Sequence, residues 1–211
     1  MNLAKKLVSV AAGVALVAGA GLAASAPAQA KVNTKNSATI ISFKKDLVDG
    51  LAAQGIVITA KAPATWDPQK RQIRFPITKV TDDAVFHSGG LVFTKGATVI
   101  EASNPTIVTP TPVPADGFPV TATTALGENT PLLNLKSPKP TTTCKVDSQH
   151  KKKWIKKTTL RVQAFVHLTS DPNVIGALQG LLSPAFTADL GLGAGRVTVE
   201  YNVNSAKKPK C

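Results

Sequence analysis

Cysteine occurs only at Cys144 and Cys211 in 211 residues, beside one methionine, one tyrosine, two tryptophans and three histidines. That scarcity excludes much chemistry. No metal-spaced Cys or His cluster is present, and the Gly-x-Ser-x-Gly, His-Glu-x-x-His and phosphate-loop patterns are missing. With 12 Asp and Glu and three His, acid–base catalysis has few groups to draw on. A triad built in space from His87, His150 or His167 with a distant serine stays open, and it would make the chain a small exported esterase-like hydrolase. Acids are outnumbered by 25 Lys and Arg, and the formal charge of +13 favours anionic partners.

Long apolar runs are missing beyond the first two dozen residues. Met1 to Lys6 is short and cationic, Leu7 to Ala24 is almost wholly Leu, Val, Ala and Gly, and Ala28-Gln29-Ala30 sets small residues around a cleavage point just after Pro27. This order predicts a signal peptide over 1–30, removed after Ala30. An uncleaved anchor is the alternative, since about 18 apolar residues approach the lower limit for a spanning helix. The Ala- and Gly-rich composition and the cleavage site weigh against it. No Leu-x-x-Cys lipobox and no hydrophobic sorting tail is found, so the product is expected to be secreted or held at the cell wall without a covalent anchor.

Residues 31–211 are long enough for one domain with a real core, and the loss of the two leader lysines lowers their formal charge to +11. Export places Cys144 and Cys211 where disulfides persist, so they are expected to pair, with two free thiols as the alternative. Closing so long a loop is worth about 4 kcal/mol in the chain-entropy relation.

Periodicity then supplies the elements. Ala38–Ser42 reads as a strand, Phe43–Gln54 carries Leu47, Val48 and Leu51 at helical spacing, Gly55 stops that helix, and Ile56–Thr59 is a β-branched strand. Leu160–Leu168 alternates apolar and polar; Thr169-Ser170-Asp171-Pro172 then caps a helix whose stripe is Val174, Ile175, Leu178, Leu181 and Leu182, ended by Pro184. Phe186–Ala188 reads as a short extended piece and Arg196–Val203 as a period-two strand. Segments 47–54 and 174–180 resemble each other in order and flanks; a degenerate internal repeat is one reading, and the other is that any strand-helix-strand element buried on one face would give so short a match.

Between these units, 72–77, 91–93, 98–100 and 106–108 are strand-like pieces separated by turn residues. Pro105, Pro110, Pro112, Pro114 and Pro119 predict that 104–119 is a stiff extended crossover or edge rather than a central strand. The fold expected is mainly β: one β-sandwich or open barrel over 31–211 with two short helices.

Phe86-His87-Ser88-Gly89-Gly90-Leu91-Val92-Phe93 is the most distinctive segment. A histidine before a Gly-Gly corner is expected at the lip of a sheet, either as a ligand-contacting imidazole or as a turn residue bonded to a carbonyl. His87, Ser88, Gly89 and Gly90 are the ligand-binding candidates here. In order, Phe75-Pro76-Ile77-Thr78, His87 to Phe93 and Ala102-Ser103-Asn104-Pro105-Thr106-Ile107-Val108 resemble a pattern in secreted proteins of high-GC Gram-positive bacteria. The layout is similar to the Htaa-type haem-uptake domain, a secreted or cell-wall β-rich module, over about a third of residues 31–211. That resemblance implies a β-rich fold and, through His87, haem as a cofactor; the residues by themselves call for no cofactor and no metal. The family's tyrosine near the domain start has no counterpart, because the sole tyrosine, Tyr201, lies in the last strand. Tyr201 shares a face with Val199 and Val203 and joins the candidates as a residue whose hydroxyl needs a partner if that face is the core.

His150-Lys151-Lys152-Lys153-Trp154-Ile155-Lys156-Lys157 sets five lysines around a tryptophan. Lys151, Lys152, Lys153, Trp154, Lys156 and Lys157 are therefore candidates for holding an anionic envelope polymer or lipid surface; the alternative is a hairpin or edge whose lysines discourage strand pairing while Trp154 turns inward. Trp66 reads as a core or rim aromatic. Nucleic acid is not expected, since export removes the usual partner and one tryptophan is no stacking platform. A secreted, monomeric, non-enzymatic envelope-associated binding or structural protein is the reading that follows, with a haem or small-ligand carrier as the alternative.

Overall fold

Period-two alternation carries most of the chain into strands. The computed structural model describes residues 31–81, 83–110, 114–149, 153–205 and 210–211; the expected leader lies outside these, as do His150, Lys151 and Lys152. Twelve strands and two helices follow in the order β1 (Lys31–Val32), β2 (Ala38–Phe43), α1 (Lys45–Ala53), β3 (Ile56–Lys61), β4 (Thr65–Asp67), β5 (Gln72–Val80), β6 (Ala84–His87), β7 (Gly90–Lys95), β8 (Thr98–Val108), β9 (Phe118–Thr124), β10 (Gly127–Gln149), β11 (Lys153–Leu168), α2 (Pro172–Leu181) and β12 (Gly191–Ser205). The fold is mainly β with two short helices, as the sequence predicts.

All pairings are antiparallel. The order runs β3-β7-β8-β6-β5-β2-β12-β11-β10-β9, and β9 pairs back onto β8 through Ser103↔Thr123, Thr106↔Thr121 and Ile107↔Val120. Eight strands thus form a ring, from which β7 and β3 branch. The ring is incomplete along its length, because β9 covers β10 only from Gly127 to Leu135. Beyond that point β10 and β11 continue together to Gln149↔Lys153 as a long hairpin, giving a barrel closed at one end and open at the other.

Inside the ring, alternate residues of each strand interlock. Ile73, Phe75 and Ile77 of β5, Val120 and Ala122 of β9, Leu160, Val162 and Val166 of β11, and Val197, Val199 and Tyr201 of β12 are all buried. The helices sit at the closed end. In α2, Asp171 Oδ1 accepts from the backbone N–H of Asn173 at 2.9 Å and of Val174 at 3.2 Å, the cap the sequence predicts, and Val174, Ile175 and Leu178 are buried. In α1 Leu51 is buried, and Gly55 follows the helix at φ +73° with its N–H on the Ala52 carbonyl at 2.9 Å.

Three expectations change. The stretch 104–119 is not one crossover: Asn104 to Val108 finish β8, which pairs with β6 and β9, and Phe118 and Pro119 begin β9. Pro105 is accommodated there because the register shifts between Ser103 and Thr106, with Asn104 at φ +51°, so the missing N–H falls at a bulge. Strand-like pieces 98–100 and 106–108 are accordingly one strand. Phe186–Ala188 joins no strand and instead links the turns 183–186 and 187–190. The two strand-helix-strand units differ in topology, because β11 and β12 are hydrogen-bonded neighbours whereas β2 and β3 lie far apart in the sheet order, which favours two separate elements over a repeat.

Candidate functional site

At the closed end the ring does not fill completely. A cavity of about 90 Å3 lies beneath the helices, walled by Leu47 and Leu51 of α1, Leu178 of α2, and Phe93, Phe186 and Leu192 among others. Among the described residues only Thr39, His87 and Thr124 bring polar side chains to its lining. Phe93 and Phe186 meet edge to face at 6.2 Å, and Lys95 Nζ donates to the Leu182 carbonyl at 2.5 Å, which ties the end of β7 to the chain just beyond α2.

His87 closes β6 and is 5% exposed, so it stands in the chamber wall and not at a solvent lip. The reason is the corner that follows. Gly89, at φ +86°, passes so close to β3 and its turn that a Cβ would come within 2.4 Å of the Ala64 nitrogen, and at Gly90 a Cβ would meet the Ala102 carbonyl at 2.7 Å. Two glycines let the chain fold flat against its neighbours, drawing the preceding imidazole inward. The Ser88 N–H donates to the Pro76 carbonyl at 3.1 Å. Ser88, Gly89 and Gly90 therefore shape the corner, and His87 alone of the four lines the chamber.

Both imidazole nitrogens are engaged. Nδ1 is 2.7 Å from the Pro105 carbonyl, which can only accept, so Nδ1 carries the proton; Nε2 then accepts from the Thr39 hydroxyl at 2.6 Å. Burial pushes the pKa of His87 down to about 4, partly opposed by the Pro105 carbonyl. At neutral pH this is an uncharged imidazole whose lone pair is held by a hydroxyl that can rotate away. Phe75 packs edge-on to the ring at 6.3 Å.

The remaining candidates are placed elsewhere. Tyr201 is buried in the ring on the same face as Val199, but it does not line the chamber. Trp66 packs on Phe43 at 5.8 Å as a rim aromatic. Trp154, Lys156 and Lys157 lie at the far end of the β10–β11 hairpin, half-buried and outside the apolar core; of Lys153 only the backbone is described, and Lys151 and Lys152 lie outside the described residues. Lys145 stands directly opposite Lys157, whose ammonium pairs with Asp147 at 2.9 Å and has its pKa raised by that carboxylate. Cys144 and Cys211 form the expected disulfide with Cα atoms 5.7 Å apart, which fastens the chain end to β10.

Among the described residues no group of three Asp, Glu, His or Cys could hold a metal, and no helix is long and apolar enough to cross a membrane. His167 Nδ1 faces Asp189, and no described serine hydroxyl hydrogen-bonds to either described histidine. Sequence reasoning missed the chamber's apolar wall, which draws residues from strands far apart in sequence. The β-branched and Leu-rich strands signalled burial without showing that they would surround a space.

No family model and no curated protein matches the chain. Among solved structures, the haem-binding protein HtaB from Corynebacterium glutamicum is similar at 12% identity and a TM-score of 0.47, with 80% of this chain and 94% of that one covered.

Proposed function

We propose that the chain is an extracytoplasmic, non-enzymatic binding protein that carries a small apolar molecule in the chamber, oriented through His87. One observation carries this reading: an apolar cavity under two short helices presents a single neutral imidazole, whose Nε2 is satisfied by a rotatable hydroxyl. Pockets for small molecules have this make-up, apolar walls with one or two placed polar groups.

Haem, which the sequence resemblance implies, fits in part. The imidazole is a suitable iron donor once Thr39 releases it, and His87 is the residue that would hold the group. The volume is not suitable, since about 90 Å3 falls well short of the roughly 300 Å3 at which pockets for drug-sized ligands begin. A macrocycle would have to spread α1 and α2 apart, whereas a short-chain or single-ring apolar molecule needs little change.

The test titrates the folded protein with a displaceable apolar dye and, separately, with haemin. Changing buried Ala122, which lines the chamber, to Leu fills space and is expected to weaken dye binding at least tenfold, while His87→Gln should remove any Soret shift. Absence of saturable binding by either probe ends this reading.

A second face supports an anionic partner. On the β10–β11 hairpin, Lys145 stands opposite Lys157, whose charge Asp147 stabilises, while Lys145 and Lys156 make no ion pair with a described residue. Cations left without a counter-ion suit an anionic polymer or lipid surface. Retention on anionic vesicles or cell walls should fall with added salt and with Lys156→Gln and Lys157→Gln.

A further inference from the structure

Outside the barrel, the face made by β5, β2, β12, β11 and β10 carries a groove of about 390 Å3, within the range of sites for small ligands. Two cross-strand rungs build it. One runs Ile40–Arg196–Gln163–Lys139, the other Gln72–Ser42–Ala194–Phe165. Ala194 and Ser42 leave a shallow trough in the second rung, and Phe165 stands at its side 57% exposed, in the middle of a strand where an aromatic would ordinarily be buried or absent. Its rim is raised on the β10 side by the bulge between Lys136 and Lys139, with Ser137 at φ +49°.

The chemistry of the lining is one-sided. Arg196 and Lys139 are exposed, neither makes an ion pair with a described residue, and no described acid lines the groove. Gln72, Gln163, Ser42 and Ser137 add amides and hydroxyls. An aromatic face, paired amides and two uncompensated cations together match a ligand with an apolar ring face, many hydroxyls and carboxylate or phosphate groups.

We propose that this groove binds an acidic glycan, a saccharide segment bearing carboxylate or phosphate, with a sugar face against Phe165 and its anion on Arg196 and Lys139. The same outer face continues along the hairpin through Arg161 to Lys145 and Lys157, so the groove would be the specific contact and the lysines a non-specific extension. The proposal deepens the anionic-partner reading and is independent of the chamber. A membrane suits the site less well, because Phe165 stands mid-strand beside a groove lined by amides and not at a protruding tip.

The experiment titrates the disulfide-bonded chain with a uronic-acid oligosaccharide, a neutral oligosaccharide of equal length, and vesicles of phosphatidylglycerol and phosphatidylcholine in equal parts. The acidic sugar is expected to bind saturably and the neutral sugar much more weakly. Phe165→Ala should weaken acidic-sugar binding about tenfold, and Arg196→Gln should weaken it similarly while flattening its salt dependence. Both side chains are exposed, so both variants should fold. Lys156→Gln with Lys157→Gln should change this affinity less than twofold while lowering vesicle retention; that split separates failure of the groove from failure of the hairpin reading. Equal binding of neutral and acidic sugars, affinity indifferent to Phe165→Ala, or Phe165-dependent binding to vesicles alone would overturn the proposal.

Discussion

Protonating His87 would leave the imidazole with two donors in a site built for one. The Thr39 hydroxyl would have to turn its hydrogen away from Nε2, and a charge would sit in an apolar wall. The folded-state pKa of about 4 lies below the ordinary 6.5, so between those values the unfolded chain binds a proton that the folded chain refuses. Stability is therefore complete above pH 6.5 and is lost as pH falls toward 4, by on the order of 3 kcal/mol for this one group. Urea unfolding at a series of pH values should show that fall in the native chain and a shallower one in His87→Gln. Parallel curves for the two proteins would place the acid sensitivity elsewhere.

Among the elements, corners decide how closely strands approach. Gly55 and Gly89 both take positive φ, yet a Cβ at Gly55 meets nothing within 4 Å whereas one at Gly89 collides with the backbone at Ala64 and Lys61. Gly55→Ala should cost about 1 kcal/mol, the backbone penalty alone. Gly89→Ala should cost at least about 3 kcal/mol, because β3 must also move away from the corner that seats His87. Thermal unfolding of the two variants measures the difference, and equal losses would show that the corner is not tightly packed. Proline obeys the same logic in β10, where Pro138 lies in the bulge and Pro140 lies on the stretch that β9 does not cover.

Taken whole, the molecule has two unlike ends. The helices and chamber gather where β11 ends at Leu168, and the lysine hairpin lies where β11 begins at Lys153, roughly 50 Å away along a strand at 3.3 Å per residue. The chain end is fastened at the lysine end by Cys144–Cys211, across a sequence separation of 67 residues. Reducing that bond should lower unfolding free energy by about 4 kcal/mol through the larger freedom of the unfolded chain. Because the bond lies far from the chamber, dye binding by the reduced but folded protein should match that of the oxidised form. Loss of dye binding on reduction under native conditions would mean that the hairpin and chamber are mechanically coupled.

Local order was legible before any tertiary contact was known. Strand phase along 160–168 and 196–203, the Asp171 cap, the stop at Gly55 and the pairing of the two cysteines all depend on neighbouring residues or on simple counting. What stayed hidden required knowing which distant segments meet. β10 escaped notice because its prolines and its run of threonine and lysine carry no apolar alternation, and it is a strand only because β11 offers it a ladder. His87 looked like a surface residue until the ring folded β5 and β8 around it, and the outer groove exists only where five strands bring Phe165, Ala194 and Arg196 side by side. Side-chain periodicity is a one-dimensional property, so sequence alone determined it; closure, register and burial arise from pairings across many tens of residues, and only the tertiary structure could decide them.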